Sequence, residues 1–125
     1  MESQSTLVSD IMNEMDPSML EFIKKHVTTF TRWDIIKFFY ENVNTHDTAA
    51  NLARYIGRSE SVVEQEAGVL ATDGILKAVK QGEHTVYMLT DDPDMRKLIA
   101  GLVETARERT FRMKLVYHIL RAGGQ

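Results

Sequence analysis

Cysteine is missing altogether from the 125 residues. That removes disulfides, thiolate metal sites and cysteine nucleophiles together. Proline is scarce, with Pro17 and Pro93 the only two, and each follows an aspartate. An acid–proline pair is a helix start, with the aspartate as N-cap and the proline in the first turn. No apolar run approaches the roughly 20 residues that cross a bilayer. The first residues, Met-Glu-Ser-Gln-Ser-Thr, lack the basic start and apolar block of a secretory signal, so a cytoplasmic location is expected. The glycines form no phosphate-cradling loop, and no Gly-x-Ser-x-Gly elbow is present.

The histidines are His26, His46, His84 and His118, and no two have the i, i+4 spacing of a helical metal pair. Without cysteine a zinc site would need carboxylates from scattered places. Each histidine is therefore expected as a surface or packing residue. Asp91-Asp92 reads as a helix start and Glu64/Glu66 as a solvated face, rather than as acid–base pairs. A non-enzyme without metal or cofactor is expected. A hydrophobic share of 43% suits one soluble globular domain with one core.

What is there centres on residues 48–90. A first helix is predicted over 48–55, with Asp47 or Thr48 capping it and Ala49, Leu52, Ala53 and Ile56 on one side. Gly57 stops it, and Arg58-Ser59 completes a tight turn. Ser59 then caps a second helix over 59–73, with Glu60 in the first turn, where the helix dipole favours an anion. Val63, Ala67 and Leu70 fall on its inward face, and Asp73-Gly74 ends it. Residues 75–80 and 84–90 read as two short strands, joined by the three-residue loop Gln81-Gly82-Glu83.

Before this stretch, Leu7, Ile11, Met12 and Met15 suggest a short amphipathic helix. Asp16-Pro17 opens another, with a stripe of Leu20, Ile23, Val27 and Phe30. Thr31-Arg32-Trp33-Asp34 has the spacing of a capping box for a helix reaching about Asn42. That helix is apolar over a wide arc, with Trp33, Ile36, Phe39, Tyr40 and Val43 on one stripe and Ile35 and Phe38 beside it. Trp33, Phe38 and Tyr40 are expected as core rather than as a ligand pocket. Residues 42–46 are expected to turn and to lead into a short strand pairing with the hairpin. After it, Asp92-Pro93 opens a helix predicted over 93–122, about 45 Å long. Met95, Ile99, Leu102, Ala106, Met113, Val116 and Leu120 recur at four-three spacing, with Arg109 interrupting. This is the pattern of a coiled-coil seam, so these residues are expected at a homodimer interface. The other prediction is one helix packed on its own domain, broken near Gly101.

Helix, tight turn, helix and hairpin follow in the order of a winged helix. On Asn51-Leu52-Ala53, Ile56-Gly57, Ser59, Val63, Ala67, Leu70, Gly74-Ile75-Leu76 and Val86-Tyr87-Met88-Leu89-Thr90, residues 31–90 resemble the winged-helix bacterial and archaeal transcriptional regulators, a plan shared by MarR-like and ArsR-like groups. The expected fold is mainly α with a small β-hairpin wing. A helical extension over 1–30, the winged helix-turn-helix over 31–90 and a dimerisation helix over 91–125 are expected.

The resemblance implies binding of double-stranded DNA. A recognition helix must then enter the major groove, with polar residues on base edges and basic residues on phosphates. The candidates are Ser59, Ser61, Glu64 and Gln65 on the second helix, Arg54 and Arg58 before it, and Lys77, Lys80 and His84 on the wing. Arg32 and Lys37 are expected to add to the same face. Arg107, Arg109, Arg112 and Lys114 form a second basic cluster, expected as a solvated face or a partner for the acidic N-terminal segment.

Charge opposes the DNA reading. The net charge is -3, and residues 45–74 hold 2 basic and 5 acidic residues, Glu60, Glu64 and Glu66 among them. Weak nonspecific binding is expected. The alternative expectation is a winged helix that binds a protein partner and leaves DNA alone.

Overall fold

Asp16 acts as the cap that the acid–proline pair implies. In the computed structural model, which describes residues 16–123, its carboxylate accepts from the Ser18 and Met19 amides at 2.7 and 3.4 Å. Helix α1 (Pro17–His26) follows and buries Phe22, Ile23 and His26. The expected stripe is shifted: Leu20 is only partly covered, and Phe30 belongs to the next helix. The helix expected around Leu7, Ile11, Met12 and Met15 lies outside the described residues.

Helix α2 (Phe30–Glu41) is capped by Thr29, whose hydroxyl accepts from the Arg32 amide at 3.0 Å. The capping box expected at Thr31-Arg32-Trp33-Asp34 does not form. Thr31 is buried inside the helix, and Asp34 accepts from Arg58 instead. Trp33, Ile35, Ile36 and Phe39 are all buried, as the wide apolar arc predicts. Val43 lies beyond the helix end and is exposed.

Strand β1 (Asp47–Thr48) leads directly into α3 (Ala49–Ile56), with Thr48 capping as expected. Helix α4 (Glu60–Thr72), strand β2 (Leu76–Gln81) and strand β3 (His84–Leu89) complete the central stretch. The strands form one antiparallel sheet in the order β1-β3-β2. Gln81 pairs with His84, so the hairpin loop is two residues, Gly82-Glu83, and not three. Only Gly82 has a positive φ there, +65°. A positive φ at the first loop position is the type II′ pattern, whose twist matches that of the strands.

Residues 93–122 make two helices rather than one: α5 (Pro93–Thr105) and α6 (Arg109–Arg121). Asp92 caps α5. The break is not at Gly101, which stays helical and lies close to Met19. It falls at residues 106–108. Arg107 and Glu108 donate three residues back, to the Glu104 and Thr105 carbonyls. Arg112 Nη1 reaches the Ala106 and Arg107 carbonyls at 3.4 and 3.3 Å. A tightened turn with its carbonyls met by a guanidinium ends a helix without glycine or proline.

All the helices feed one core. Ile23 of α1, Ile36 of α2, Leu70 of α4, Leu102 of α5 and Ile119 of α6 belong to the same buried cluster. The helix α1 is thereby a lid on that core. His118 of α6 turns its ring toward the backbone of α1 near Ile23 and Val27, and its Nε2 is buried with no hydrogen-bond partner among the described residues. Burial holds its pKa below the ordinary 6.5, against the pull of those backbone groups, and the Lys24 charge adds to the effect.

Two outcomes follow from this packing. Leu70→Ala should destabilise the fold by about 2–5 kcal/mol in chemical denaturation, and a loss under about 1 kcal/mol would contradict the burial. His118 binds a proton less readily folded than unfolded, so stability should fall as pH drops below about 6.5. His118→Gln should flatten that acid limb between pH 7 and 5, and an unchanged limb would assign it to other groups.

Candidate nucleic-acid interface

The helix-turn-helix is built from local hydrogen bonds. The Gly57 and Arg58 amides both donate to the Ala53 carbonyl, at 2.9 and 3.0 Å, and Gly57 has φ +72°. That left-handed turn lets the chain leave α3 and re-enter a helix within three residues. Ser59 Oγ accepts from the Val62 amide at 3.4 Å, which starts α4. Ala49 and Ala53 are buried where α3 meets α4, small enough for close approach.

Helix α4 turns Val63, Ala67 and Leu70 inward, each fully closed to solvent. The opposite stripe is Ser61, Gln65, Gly68 and Thr72, at i, i+4, i+7 and i+11. Ser61, Gln65 and Thr72 are exposed. Glu60 and Glu64 are also exposed. Glu64 lies on the flank nearer β3; after burial, its charge is the second cause of the raised pKa of the Tyr87 hydroxyl. Glu66 is not part of the outer surface. Its carboxylate is held by Arg32 Nε, and Arg32 also donates to Thr28 Oγ1 at 2.9 Å. The expectation that Glu66 adds charge to the groove side, and Arg32 basic charge, is therefore corrected: each neutralises the other where α2 meets α4.

The other basic candidates divide in two. Arg58 Nε donates to Asp34 of α2 at 2.7 Å, so its charge is compensated while it pins the turn. Lys77 pairs with Asp91 at 2.5 Å, and Arg96 reaches the same carboxylate at 3.9 Å. The hydrogen bond and charge of Lys77 hold the Asp91 pKa below the ordinary carboxylate value. Arg54 donates to the Asn51 side-chain oxygen, and its charge also acts on the nearby Asp47 carboxylate. Lys80 and His84 stand exposed on the wing near its tip, with no ion pair among the described residues. Lys37 is exposed on α2.

Asp47 organises the other side of α3. It accepts from the Thr48 amide at 2.8 Å, the Asn51 side chain at 2.7 Å and the Tyr55 hydroxyl at 3.0 Å. Desolvation raises its pKa, but these hydrogen bonds and the Arg54 charge outweigh that and leave it lowered. The Tyr55 ring stacks on Phe38 at 5.6 Å and remains largely exposed. Sequence reasoning missed this surface, because Tyr55 sits at a spacing that the apolar count of α3 passes over. It also missed Val62, exposed on α4 beside the outer stripe. The pair Val62-Val63 carries the signal: adjacent helical residues are 100° apart, so both cannot point inward.

The seven seam residues separate. Ile99, Leu102 and Ala106 are closed inside the chain's own core, and Met95 packs against it. Met113, Val116 and Leu120 on α6 are exposed, at 60%, 39% and 59%. The break between α5 and α6 is the physical reason, since one continuous seam cannot run through it.

Comparison with known proteins bears on the fold. No family model matches the chain, and no curated protein matches it in sequence. Solved structures do match. Among them is HlyU from Vibrio cholerae N16961, at TM-score 0.55 and 14% identity, covering 86% of this chain and 100% of that one. The chain is a winged helix: a mainly helical body carrying a three-stranded antiparallel sheet whose hairpin is the wing.

The Arg32–Glu66 pair is mostly buried, so it should couple by about 1–3 kcal/mol, between a surface pair and a fully buried one. A double-mutant cycle with Arg32→Ala and Glu66→Ala, read by urea denaturation, measures this. Coupling near zero would remove the pair as a clasp between α2 and α4.

Proposed function

We propose that this protein is a DNA-binding transcription regulator of the winged-helix type that acts as a homodimer on double-stranded DNA. The observation that carries this is the outer stripe of α4. Three exposed side chains on it, Ser61, Gln65 and Thr72, can hydrogen-bond and carry no charge, and Glu66 is folded away from them onto Arg32. Such a face suits base edges. Ser59, Ser61 and Gln65 would meet the groove with Glu64 at its flank nearer β3, Arg54 would hold phosphate ahead of α4, and Lys80 and His84 would do so from the wing. Arg58 and Lys77 would contribute less while Asp34 and Asp91 hold them.

The homodimer reading rests on α6. Met113, Val116 and Leu120 are at i, i+3 and i+7, so they form one exposed apolar stripe. A second copy would cover it and set two α4 helices against successive major-groove faces. The second functional reading is an adaptor that binds protein. It is favoured by the exposed carboxylates of Glu60, Glu64 and Glu83 and by the compensation of Arg58 and Lys77.

Fluorescence anisotropy with a labelled mixed-sequence duplex tests the first reading, at low and near-physiological salt. Binding should fall steeply with salt, and the Arg54→Ala/Lys80→Ala variant should lower the slope by about 2, one per lost phosphate contact. No binding at low salt would hand the case to the adaptor. Sedimentation should give a dimer for the native chain and a folded monomer for Met113→Glu/Leu120→Glu. A native monomer, or a dimer that survives both changes, would exclude α6 as the interface.

A further inference from the structure

Helix α4 contains no lysine or arginine. It therefore cannot make the bidentate cationic contact to guanine that is the commonest specific contact in the major groove. What it presents instead is Gln65, exposed on the outer stripe, with the exposed Val62 one turn before it. Residues three apart on a helix are surface neighbours. A glutamine amide matches the adenine N6 and N7 pair, and an apolar side chain matches the methyl group of thymine. We infer that α4 reads adenine–thymine pairs, with Gln65 on an adenine edge and Val62 against a thymine methyl. This rests on the DNA-binding reading above and deepens it.

Gly68 adds an independent observation. It lies one turn after Gln65 on the same stripe, inside a helix, where glycine weakens the backbone relative to alanine. Nothing among the described residues requires it, since a Cβ there would meet none of their atoms within 4 Å and its φ is not in the left-handed region. The open space lies on the outward side. A missing side chain there lets the helix axis come closer to the groove floor, which shortens the reach that Gln65 needs. Glu64 faces the flank nearer β3, off the line joining Val62, Gln65 and Gly68.

Selection from a random duplex pool with the full chain, followed by anisotropy on the selected site, tests this. The selected sites should hold adenine–thymine pairs at the centre of each half-site. Replacing the contacted thymine by uracil, which removes only the methyl group, should weaken native binding about fourfold. Val62→Ser should bind both duplexes alike. Gln65→Ala should lose about tenfold in preference for adenine at one position. Gly68→Ala should raise the melting temperature and still lower affinity, a combination that a purely structural role would not produce.

Selection of guanine–cytosine sites would overturn the inference and leave DNA binding standing. So would equal binding of thymine and uracil duplexes by the native chain. Absence of binding to every duplex would bring down both.

Discussion

The inner face of α4 is shut against α2, α3 and the first strand of the hairpin, with Val63, Ala67 and Leu70 fully closed to solvent. That burial fixes how the helix is rotated about its own axis. With the rotation fixed, Ser61, Gln65 and Gly68 have to look outward and Glu66 has to look toward α2. Displacing Leu70 would disturb more than stability, because every outward residue of α4 takes its direction from it. The Gly57 turn and the Ser59 cap set where the helix begins, and Arg32 holds its flank.

Charge follows from the same frame. Of the basic residues near the helix-turn-helix and wing, Arg32, Arg58 and Lys77 each have a carboxylate partner within the chain. These pairs join α2 to α4, α2 to the turn, and the hairpin to the start of α5. The Arg32 and Arg58 pairs are partly buried and the Lys77 pair is exposed, and pairs of either kind give position more than energy. The chain uses its cations first to align its parts, and the remainder, Arg54, Lys80 and His84, is small. A surface composed in that way would depend on shape and hydrogen bonding for recognition, since little electrostatic attraction is left over.

Much of this was legible in the sequence, because caps and turns are local. Asp16-Pro17, Thr48, Gly57, Ser59 and Asp92-Pro93 each act within four residues of themselves. The inward trio of α4 was legible from its spacing alone. Most of the misplaced features depend on residues distant in the chain or on competition between equals. Thr29 and Thr31 are both able to cap α2, and Asp34 was drawn off by Arg58, 24 residues away. Glu66 looked solvated until Arg32, 34 residues earlier, was brought against it. The break after Thr105 has no glycine or proline to announce it, only Arg112 reaching back to two carbonyls. The seam of α5 and α6 was a true hydrophobic period, but periodicity does not say whether the facing surface belongs to the same chain.

The sheet order leaves β2 on the outside, with β3 on one side of it and nothing described on the other. Along β2 every residue after Leu76 is exposed, Val79 included. An unpaired strand edge of that kind is a template on which a second strand can add. Lys80 follows Ala78 and Val79 on that edge without an ion pair among the described residues, and a second copy of the strand laid alongside would bring like charges together. Lys77, already held by Asp91, adds little to that repulsion. Neutralising Lys80 would leave a short sticky edge, and the first sign would be turbidity on concentrating the protein rather than any change in the fold.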